Sequence, residues 1–290
     1  MSDLHAFDWE DLHHFAVFAR EKSLSAAARR LMVDHATVAR RIASLERSLQ
    51  LKLVDRRARA YELTADGRRV VAIAERMDDD AFALGRAARS LQKGLDGEVA
   101  VSAPPALAAS RIAPRLDRLR AAHPGITLRL IGEKRAASLS RREADLAVRL
   151  SRPTESGLIT RKLGSLAFAL YATNAYLSAL PSAGYCFIAG DRDFDDLPQQ
   201  RWLKAVAGNR PIVLQANDQL SQLAAARAGV GIAALPIYLA DSDPALVRVT
   251  AKPATISRDI WLVVHRDLQK SPLVRAVMEF LADCFADLPR

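Results

Sequence analysis

The sequence is poor in cysteine and histidine. Its 290 residues include two cysteines, Cys186 and Cys284, and six histidines. The two cysteines lie far apart and fit neither a disulfide framework nor a metal site, so we expect a reducing, cytoplasmic environment. His13 and His14 are adjacent, but no group of cysteines or carboxylates accompanies them. We therefore expect no bound metal ion.

Long apolar runs are also missing. No stretch approaches the roughly 20 uninterrupted apolar residues that a membrane-spanning helix needs. The N-terminus, MSDLHAFDWEDLHHF, carries acidic residues and no basic segment that leads into an apolar run. It therefore lacks the pattern of a secretory signal. These absences predict a cytoplasmic protein that does not contact a membrane.

Motifs of common enzyme classes are absent as well. The sequence has no G-x-S-x-G, no P-loop and no dinucleotide-binding fingerprint. Residues 265–268 spell HRDL, part of the protein-kinase catalytic loop, but Pro272 occupies the position at which that loop requires asparagine. Cys186, between two aromatic residues, is more typical of a buried strand than of a nucleophile. We expect neither catalysis nor a cofactor.

What the sequence does have is apolar residues and positive charge. Hydrophobic residues make up 50% of the chain, enough for a sizeable core, and 290 residues suggest about two or three compact units. Lysine and arginine number 42 against 33 acidic residues, which leaves a formal net charge of +9. A basic surplus favours a polyanionic partner, either nucleic acid or an anionic membrane surface.

The first 65 residues have the pattern of three short helices followed by a β-hairpin. Apolar residues recur at helical spacing from Leu12, and two further helices begin after Ser23 and Asp34, both favoured N-cap residues. Residues 51–64 alternate in the manner of a small β-wing. The third helix places three apolar residues on one face, which we expect to be buried: Val38, Ile42 and Leu45.

The opposite face of this third helix can lie in the major groove of DNA. Residues 29–69 contain eleven basic residues and five acidic ones. Two thirds of the net charge of the chain therefore lies on about a seventh of its length. An ordinary amphipathic helix with a solvated basic face is the alternative. The candidates for contact with base edges are His35, Thr37 and Arg40, of which Arg40 could bind guanine bidentately. Ala36 is a further DNA-binding candidate on the same face. The candidates for contact with phosphates are Arg29, Arg30, Arg41, Arg56, Arg57 and Arg59.

A long helix is predicted from Ala65 to about Leu91. The stretch contains no proline, and its apolar positions fall close to a heptad. This pattern favours pairing with a second helix, and the alternative is a helix packed on its own domain. The predicted dimerisation residues are Val70, Ile73, Met77, Leu84 and Leu91.

The remainder of the chain has an α/β pattern, in which short apolar strands alternate with helical stretches. We expect a mostly parallel sheet, and a helix after Pro104-Pro105 that ends at residues 123–125. Strands are predicted at 98–103, 126–131, 145–150, 166–171, 185–189, 212–216, 246–249 and 260–265.

Residues 9–92 resemble the LysR-type transcriptional regulators. The resemblance is carried by W-E-D-L-H-H-F, S-L-S-A-A-A-R-R-L, A-T-V-A-R-R-I-A-S-L-E, L-K-L-V-D-R and L-T-A-D-G. Further along, G-E-V-A-V-S-A-P, H-P-G-I-T-L-R-L and W-L-V-V-H-R-D-L are similar to the sensor domain of that family. Asp34, His35, Ala39 and Val54 depart from the usual pattern, so the operator of this protein cannot be assumed from its relatives.

The resemblance implies an α+β multidomain protein with three parts. A winged helix-turn-helix occupies residues 1–64, a linker and dimerisation helix 65–94, and an effector-binding domain 95–290. The last would have two α/β subdomains around a cleft, as in type II periplasmic solute-binding proteins. The chain would cross between them near residues 165 and 265, giving subdomain I at about 95–165 and 266–290 and subdomain II at about 166–265.

The effector is expected in this cleft, because ligands of open α/β sheets bind at the carboxyl ends of the strands. Ser102 and Ala103 follow one such strand, and Asn217 and Asp218 follow another. By analogy with the family these residues flank a small organic anion, such as a carboxylate. Lys134 and Arg149 could supply positive charge. The alternatives are helix-capping roles for Ser102 and Asn217 and a solvated surface position for each cation.

The resemblance also implies partners. We expect double-stranded promoter DNA, bound at an interrupted palindrome, together with a small-molecule effector, RNA polymerase, and a homodimer or homotetramer. The competing hypothesis is a cytosolic small-molecule sensor that does not bind DNA sequence-specifically.

Overall fold

The structure, a computed structural model, describes residues 7–55, 61–90, 95–132, 144–155 and 157–288. The chain divides into two compact units, Met1–Gly85 and Arg86–Arg290. The first unit contains short helices and a small hairpin, and the second contains a large mixed sheet flanked by helices. No helix of the described residues is both long and apolar enough to cross a membrane.

The first unit begins with α1 (Trp9–Glu21), α2 (Leu24–Leu31) and α3 (His35–Leu49). The side chains of Ser23 and Asp34 accept hydrogen bonds from the amides of Ala26 (3.4 Å) and Thr37 (2.6 Å), which confirms both as N-caps. Each helix ends at a residue in the left-handed conformation, which turns the chain sharply. These three C-cap residues are Lys22, Met32 and Gln50.

The core of the first unit lies between these helices. Val38, Ile42 and Leu45 are fully buried against apolar residues of α1 and α2, as the apolar stripe of the third helix predicted. The wing is also confirmed as a two-stranded antiparallel hairpin of β1 (Val54–Asp55) and β2 (Glu62–Leu63).

The long helix α4 spans Ala65–Ser90, close to the predicted bounds. Its first turn is fixed to the wing, because the Thr64 hydroxyl accepts a hydrogen bond from the Gly67 amide at 2.9 Å and donates one to the Lys52 carbonyl at 2.5 Å. Here the helix passes so close to the wing that a Cβ atom on Gly67 would lie 2.1 Å from the carbonyl oxygen of Leu53. Only glycine fits this junction without movement of the backbone.

Replacing Gly67 with alanine should therefore destabilise the first unit by about 1–3 kcal/mol, although alanine has the higher helix propensity. The added methyl group meets backbone atoms of the buried Leu53, which cannot move aside as a flexible side chain would. Chemical denaturation followed by circular dichroism would measure the change. Gly184→Ala is a useful comparison, since the backbone of Gly184 is not left-handed and the atoms nearest to its Cβ position lie at 3.9 Å, an ordinary contact distance. Equal or higher stability of Gly67→Ala would contradict the packing argument.

In the residues that the structure describes, the second unit contains one sheet. Its strands are β3 (Gly97–Ala103), β4 (Ile126–Gly132), β5 (Leu146–Arg149), β6 (Leu158–Thr173), β7 (Phe187–Ala189), β8 (Ile212–Gln215), β9 (Ile232–Pro236), β10 (Leu246–Val249) and β11 (Ile256–His265). Its α-helices are α5 (Pro105–Leu107), α6 (Leu116–Ala122), α7 (Asn174–Ala179), α8 (Pro198–Ala207), α9 (Gln219–Arg227), α10 (Ile237–Ala240) and α11 (Pro272–Cys284). All eight predicted strands are present, and β9 is a strand that the sequence analysis missed.

The strands are ordered β4-β3-β5-β11-β6-β9-β7-β8, with β10 beside β6. The expectation of a mostly parallel sheet was wrong, because β6 and β11 run antiparallel to each of their partners. Parallel pairing is confined to β3 with β4 and β5, and to β7 with β8 and β9. Two groups of parallel strands are thus joined by a long antiparallel pair.

This pair, β6 and β11, extends from one group of strands into the other. At one end Leu262 of β11 lies opposite Val148 of β5, and further along β6 Ala169 lies opposite Leu235 of β9. The subdomain boundaries expected near 165 and 265 fall within β6 and at the end of β11. The predicted domain limits as a whole stay predictions.

The helix expected after Pro104-Pro105 is not continuous. After the short α5, residues Ala108–Ile112 form a π-helix and Ala113–Arg115 a 3₁₀-helix before α6 begins. Pro114 explains the break, because its ring lacks an N–H and crowds the carbonyl one turn before it. The apolar residues Leu107, Ile112 and Leu119 are nevertheless buried in the core beneath β3 and β5.

Candidate functional site

The first candidate site is the exposed face of α3. His35, Ala36 and Arg40 are exposed, while Val38 between them is fully buried. Thr37 is half-buried, and its hydroxyl donates a hydrogen bond to Asp34 at 3.0 Å. These hydrogen bonds from the amide and hydroxyl of Thr37 hold the pKa of Asp34 below its ordinary value, so the cap is negatively charged at neutral pH. The first turns of α3 therefore present polar side chains from a rigid, capped helix.

The arginines predicted to contact phosphates differ in their surroundings. Arg29 and Arg30 are exposed in the last turn of α2. Arg56, Arg57 and Arg59 lie outside the described residues. These two exposed arginines lie close to the turn that precedes α3, a position that suits contact with a polyanion.

Arg41 is placed differently from the prediction. Its guanidinium is paired with carboxylates at the start of α1: Asp11 at 3.0 Å, Asp8 at 3.3 Å and Glu10 at 3.5 Å. The hydrogen bond with Asp11 raises the pKa of Arg41. Because its charge is already matched within the chain, the structure argues against the predicted phosphate contact and favours a role in fixing α3 against α1.

Glu46 is a residue that the sequence analysis missed. Its buried carboxylate accepts hydrogen bonds from the amides of Leu53 (2.9 Å) and Val54 (3.2 Å), and so attaches the beginning of the wing to α3. The signal was available in the sequence. Glu46 lies four residues after Ile42, on the buried stripe of the helix, where an acidic residue needs a specific partner.

The predicted dimerisation residues are divided along α4. Val70 and Met77 are half-buried against the core of the first unit, on either side of the fully buried Ala74. Ile73 and Leu84 are 49% and 74% exposed. Leu91 lies outside the described residues. Part of the apolar stripe is thus used by the unit itself, and another part is left to solvent in the single chain.

The second candidate site is a cavity of about 260 Å³ in the second unit. It lies where β3, β5, β7 and β8 end, which is where ligands of open α/β sheets bind. The chain after each of these strands contributes to the wall. The lining residues are Pro104, Pro105, Ala106, Arg149, Leu150, Ser151, Gly190, Phe194, Leu197, Gln199, Gln200, Ala216, Asn217, Asp218, Gln219, Gln222 and Arg258.

Three of the predicted effector residues, Arg149, Asn217 and Asp218, lie in this lining. Asp218 caps α9, since its carboxylate accepts hydrogen bonds from the amide (2.8 Å) and hydroxyl (2.7 Å) of Ser221. Lys134 lies outside the described residues.

Ser102 and Ala103 are fully buried within β3 and are not among the lining residues described. The Ser102 hydroxyl accepts a hydrogen bond from Arg149 at 3.2 Å, and its carbonyl accepts another at 3.3 Å. A role in holding Arg149 therefore replaces the direct contact with an effector that we predicted for Ser102.

The sequence analysis also missed Gln200, Gln222 and Arg258 of the cavity. Gln200 accepts a hydrogen bond from the Gly190 amide at 2.7 Å, and Gln222 donates one to the Ala216 carbonyl at 2.8 Å, so both fix loops of the wall. Arg258 is buried on β11 and donates to Gln199 Oε1 and to the Leu150 carbonyl, both at 3.1 Å. No clear signal marked it in the sequence, because Arg258 precedes the predicted strand 260–265 and is followed by a second charged residue, Asp259. Among the described residues, no cluster of three histidines, cysteines or carboxylates could hold a metal ion.

Comparison with known proteins covers nearly the whole chain. The family model described as a bacterial regulatory helix-turn-helix protein of the lysR family matches residues 9–68, and the LysR substrate binding domain matches residues 92–286. The AhcY transcriptional activator HvrB of Rhodobacter capsulatus is 31% identical over 231 residues, which cover 76% of this chain and 77% of that protein. The Mau operon transcriptional activator of Paracoccus denitrificans is 28% identical over 290 residues, or 97% of each protein.

The fold is shared with solved structures as well. The full-length Vibrio cholerae virulence activator AphB superposes with a TM-score of 0.61 at 23% sequence identity, covering 95% of this chain and 99% of that one. This likeness shows the fold, and the two family models account for both units. The chain therefore belongs to the LysR family of transcriptional regulators, with a helix-turn-helix DNA-binding domain and a substrate-binding domain.

Proposed function

We propose that this regulator binds an interrupted palindromic promoter site as a dimer or tetramer, with α3 of each of two protomers in successive major grooves. The observation that carries the proposal is the exposed face of α3, where His35, Ala36 and Arg40 lie beside buried core residues on a capped helix. Exposed Arg29 and Arg30 and the local excess of positive charge support contact with phosphates.

We further propose that a small organic anion binds in the cavity of the second unit and changes how the bound protein affects RNA polymerase. Two arginines and a single carboxylate, that of Asp218, lie among its described lining residues, and the rest of the wall is apolar or neutral. Effector coupling in such systems is worth about 1–3 kcal/mol. That is enough to change the affinity for the promoter by about 5- to 150-fold.

Selection from a pool of random duplexes, with the full-length protein, tests the DNA-binding proposal. We expect the retained duplexes to share two half-sites related by two-fold symmetry, with centres one helical turn or a multiple of it apart. A parallel selection without protein is the control. Retained DNA with no common sequence would favour the alternative, a small-molecule sensor without sequence-specific DNA binding. A single unpaired half-site would contradict the palindrome.

A further inference from the structure

The cavity contains one buried cation whose charge is not matched within the described part of the chain. Arg258 is only 8% exposed, and its two hydrogen-bond acceptors, Gln199 Oε1 and the Leu150 carbonyl, are both neutral. Arg111, the other arginine that is buried among the described residues, is paired with an acidic group: it donates to the Asp287 carboxylate at 2.6 and 2.8 Å. A buried charge is ordinarily paired, so the position of Arg258 favours binding of an anion.

Arg149, the second arginine of the wall, is engaged differently. One of its terminal nitrogens donates to three oxygens of the chain itself, namely the Ser102 carbonyl and hydroxyl and the Val148 carbonyl. These contacts attach the end of β5 to β3. Arg258, by contrast, has two neutral partners and borders the cavity from β11. Burial lowers the pKa of Arg258 to about 10, which still leaves it charged at neutral pH.

The remaining wall limits what the anion can be. Pro105, Leu150, Phe194 and Leu197 are apolar, and the volume of about 260 Å³ is below the usual range for drug-sized ligands. Gln219 also lines the cavity, and its Oε1 is buried without a hydrogen-bond partner among the described residues, so it can accept a hydrogen bond from a ligand. A ligand with one negative charge, an apolar body and one hydrogen-bond donor would complement these groups.

We infer that Arg258 determines effector specificity by binding the single carboxylate of a small monoanion that has an apolar body and a hydroxyl or N–H donor. The planar guanidinium suits a carboxylate, because two parallel N–H groups can bind its two oxygens. The inference rests on the proposed effector role of the cavity, and adds the anchoring residue and the charge of the ligand.

Binding to the full-length protein tests this assignment. The probes are benzoate, 4-hydroxybenzoate, pentanoate and 5-hydroxypentanoate, each with its neutral amide and a dicarboxylate of similar size. Calorimetry on the wild type should show binding of at least one hydroxylated monocarboxylate, at least tenfold weaker binding of its amide, and weaker binding of the dicarboxylate. Arg258→Gln should lose at least tenfold in affinity for the monocarboxylate. Arg201→Gln, an exposed arginine outside the cavity on α8, should bind it as the wild type does.

Arg258→Lys keeps the charge and should bind with intermediate affinity, and it provides the test if Arg258→Gln does not fold. Monocarboxylate binding that is unchanged in Arg258→Gln or in Arg258→Lys, or equal affinity for acid and amide, would overturn the role of Arg258. So would the absence of binding by every probe. The proposed function fails by a separate observation, namely that a probe bound in the cavity leaves the affinity for the selected DNA and transcription from it unchanged.

Discussion

Arg40→Ala should remove most of the preference of the protein for its operator and leave its affinity for unrelated DNA nearly unchanged. Arg40 is exposed on the face of α3 opposite the buried Val38 and Ile42, where a guanidinium can reach two acceptors of one guanine. Removing one such bidentate pair of hydrogen bonds costs about 1–3 kcal/mol per half-site, or roughly 5- to 150-fold in discrimination. Unrelated duplexes do not provide that guanine in register and should lose little.

The measurement is fluorescence anisotropy with the selected operator and a scrambled duplex, each at several salt concentrations. Arg29→Ala is the matched control, because Arg29 is also exposed but lies at the end of α2. It should weaken both duplexes equally and reduce the slope of log affinity against log salt by about 0.9 for each phosphate that is no longer neutralised. If Arg40→Ala and Arg29→Ala weaken both duplexes by the same factors, the division between base-reading and phosphate-binding arginines is wrong.

Local signals in the sequence predicted the first unit well. Capping residues and helical spacing depend on neighbours within a few positions, so Ser23, Asp34 and the buried stripe of α3 could be identified without a structure. The ion pairs of Arg41 within the chain could not be predicted, because its partners lie about thirty residues away in sequence. A basic residue beside the DNA-binding face is indistinguishable, in sequence, from one that is used internally.

In the second unit, the positions of strands were predictable and their directions were not. Eight apolar runs marked strands, whereas β9, Ile232–Pro236, was missed although it is a short apolar run that follows a glycine. Alternation with helices suggested parallel pairing, but the antiparallel pairing of β6 with β11 depends on contacts between residues about 90–110 positions apart. Pro114 could have indicated the broken helix.

The cavity contains residues that could be identified from the sequence and residues that could not. Strand ends predicted the location of Asn217 and Asp218 in its wall, because the carboxyl ends of parallel strands meet at one edge. Ser102 follows the same rule in sequence but is buried within β3. Arg258 comes from an antiparallel strand that this rule does not cover. The proposed role of Arg258 in binding an anion rests on its burial and its neutral hydrogen-bond partners, which only the three-dimensional structure shows.

The double variant Ile73→Glu, Leu84→Glu should be monomeric and should bind the operator about 10²- to 10⁴-fold more weakly than the wild type. Ile73 and Leu84 are separated by eleven residues, about three turns, and therefore lie on the same side of α4. Both are exposed in the single chain, whereas Val70 and Met77 already pack on the core of their own unit. Carboxylates at the two exposed positions should disrupt a helix pair without disturbing that core. A monomer then binds one half-site at a time and loses the advantage of two linked sites.

Light scattering after size-exclusion chromatography measures the oligomeric state, and anisotropy measures operator binding. Ala72→Glu is the control, because Ala72 is exposed on α4 about 100° around the helix from Ile73 and gains one of the two negative charges that the double variant gains. It should stay oligomeric and lose little affinity beyond the general effect of one added negative charge. A double variant that stays dimeric, with circular dichroism and operator affinity close to those of the wild type, would show that this side of α4 is not the dimer contact. A weakened operator complex with an intact dimer would instead attribute the loss to charge near the DNA, and would equally exclude α4 pairing as its cause.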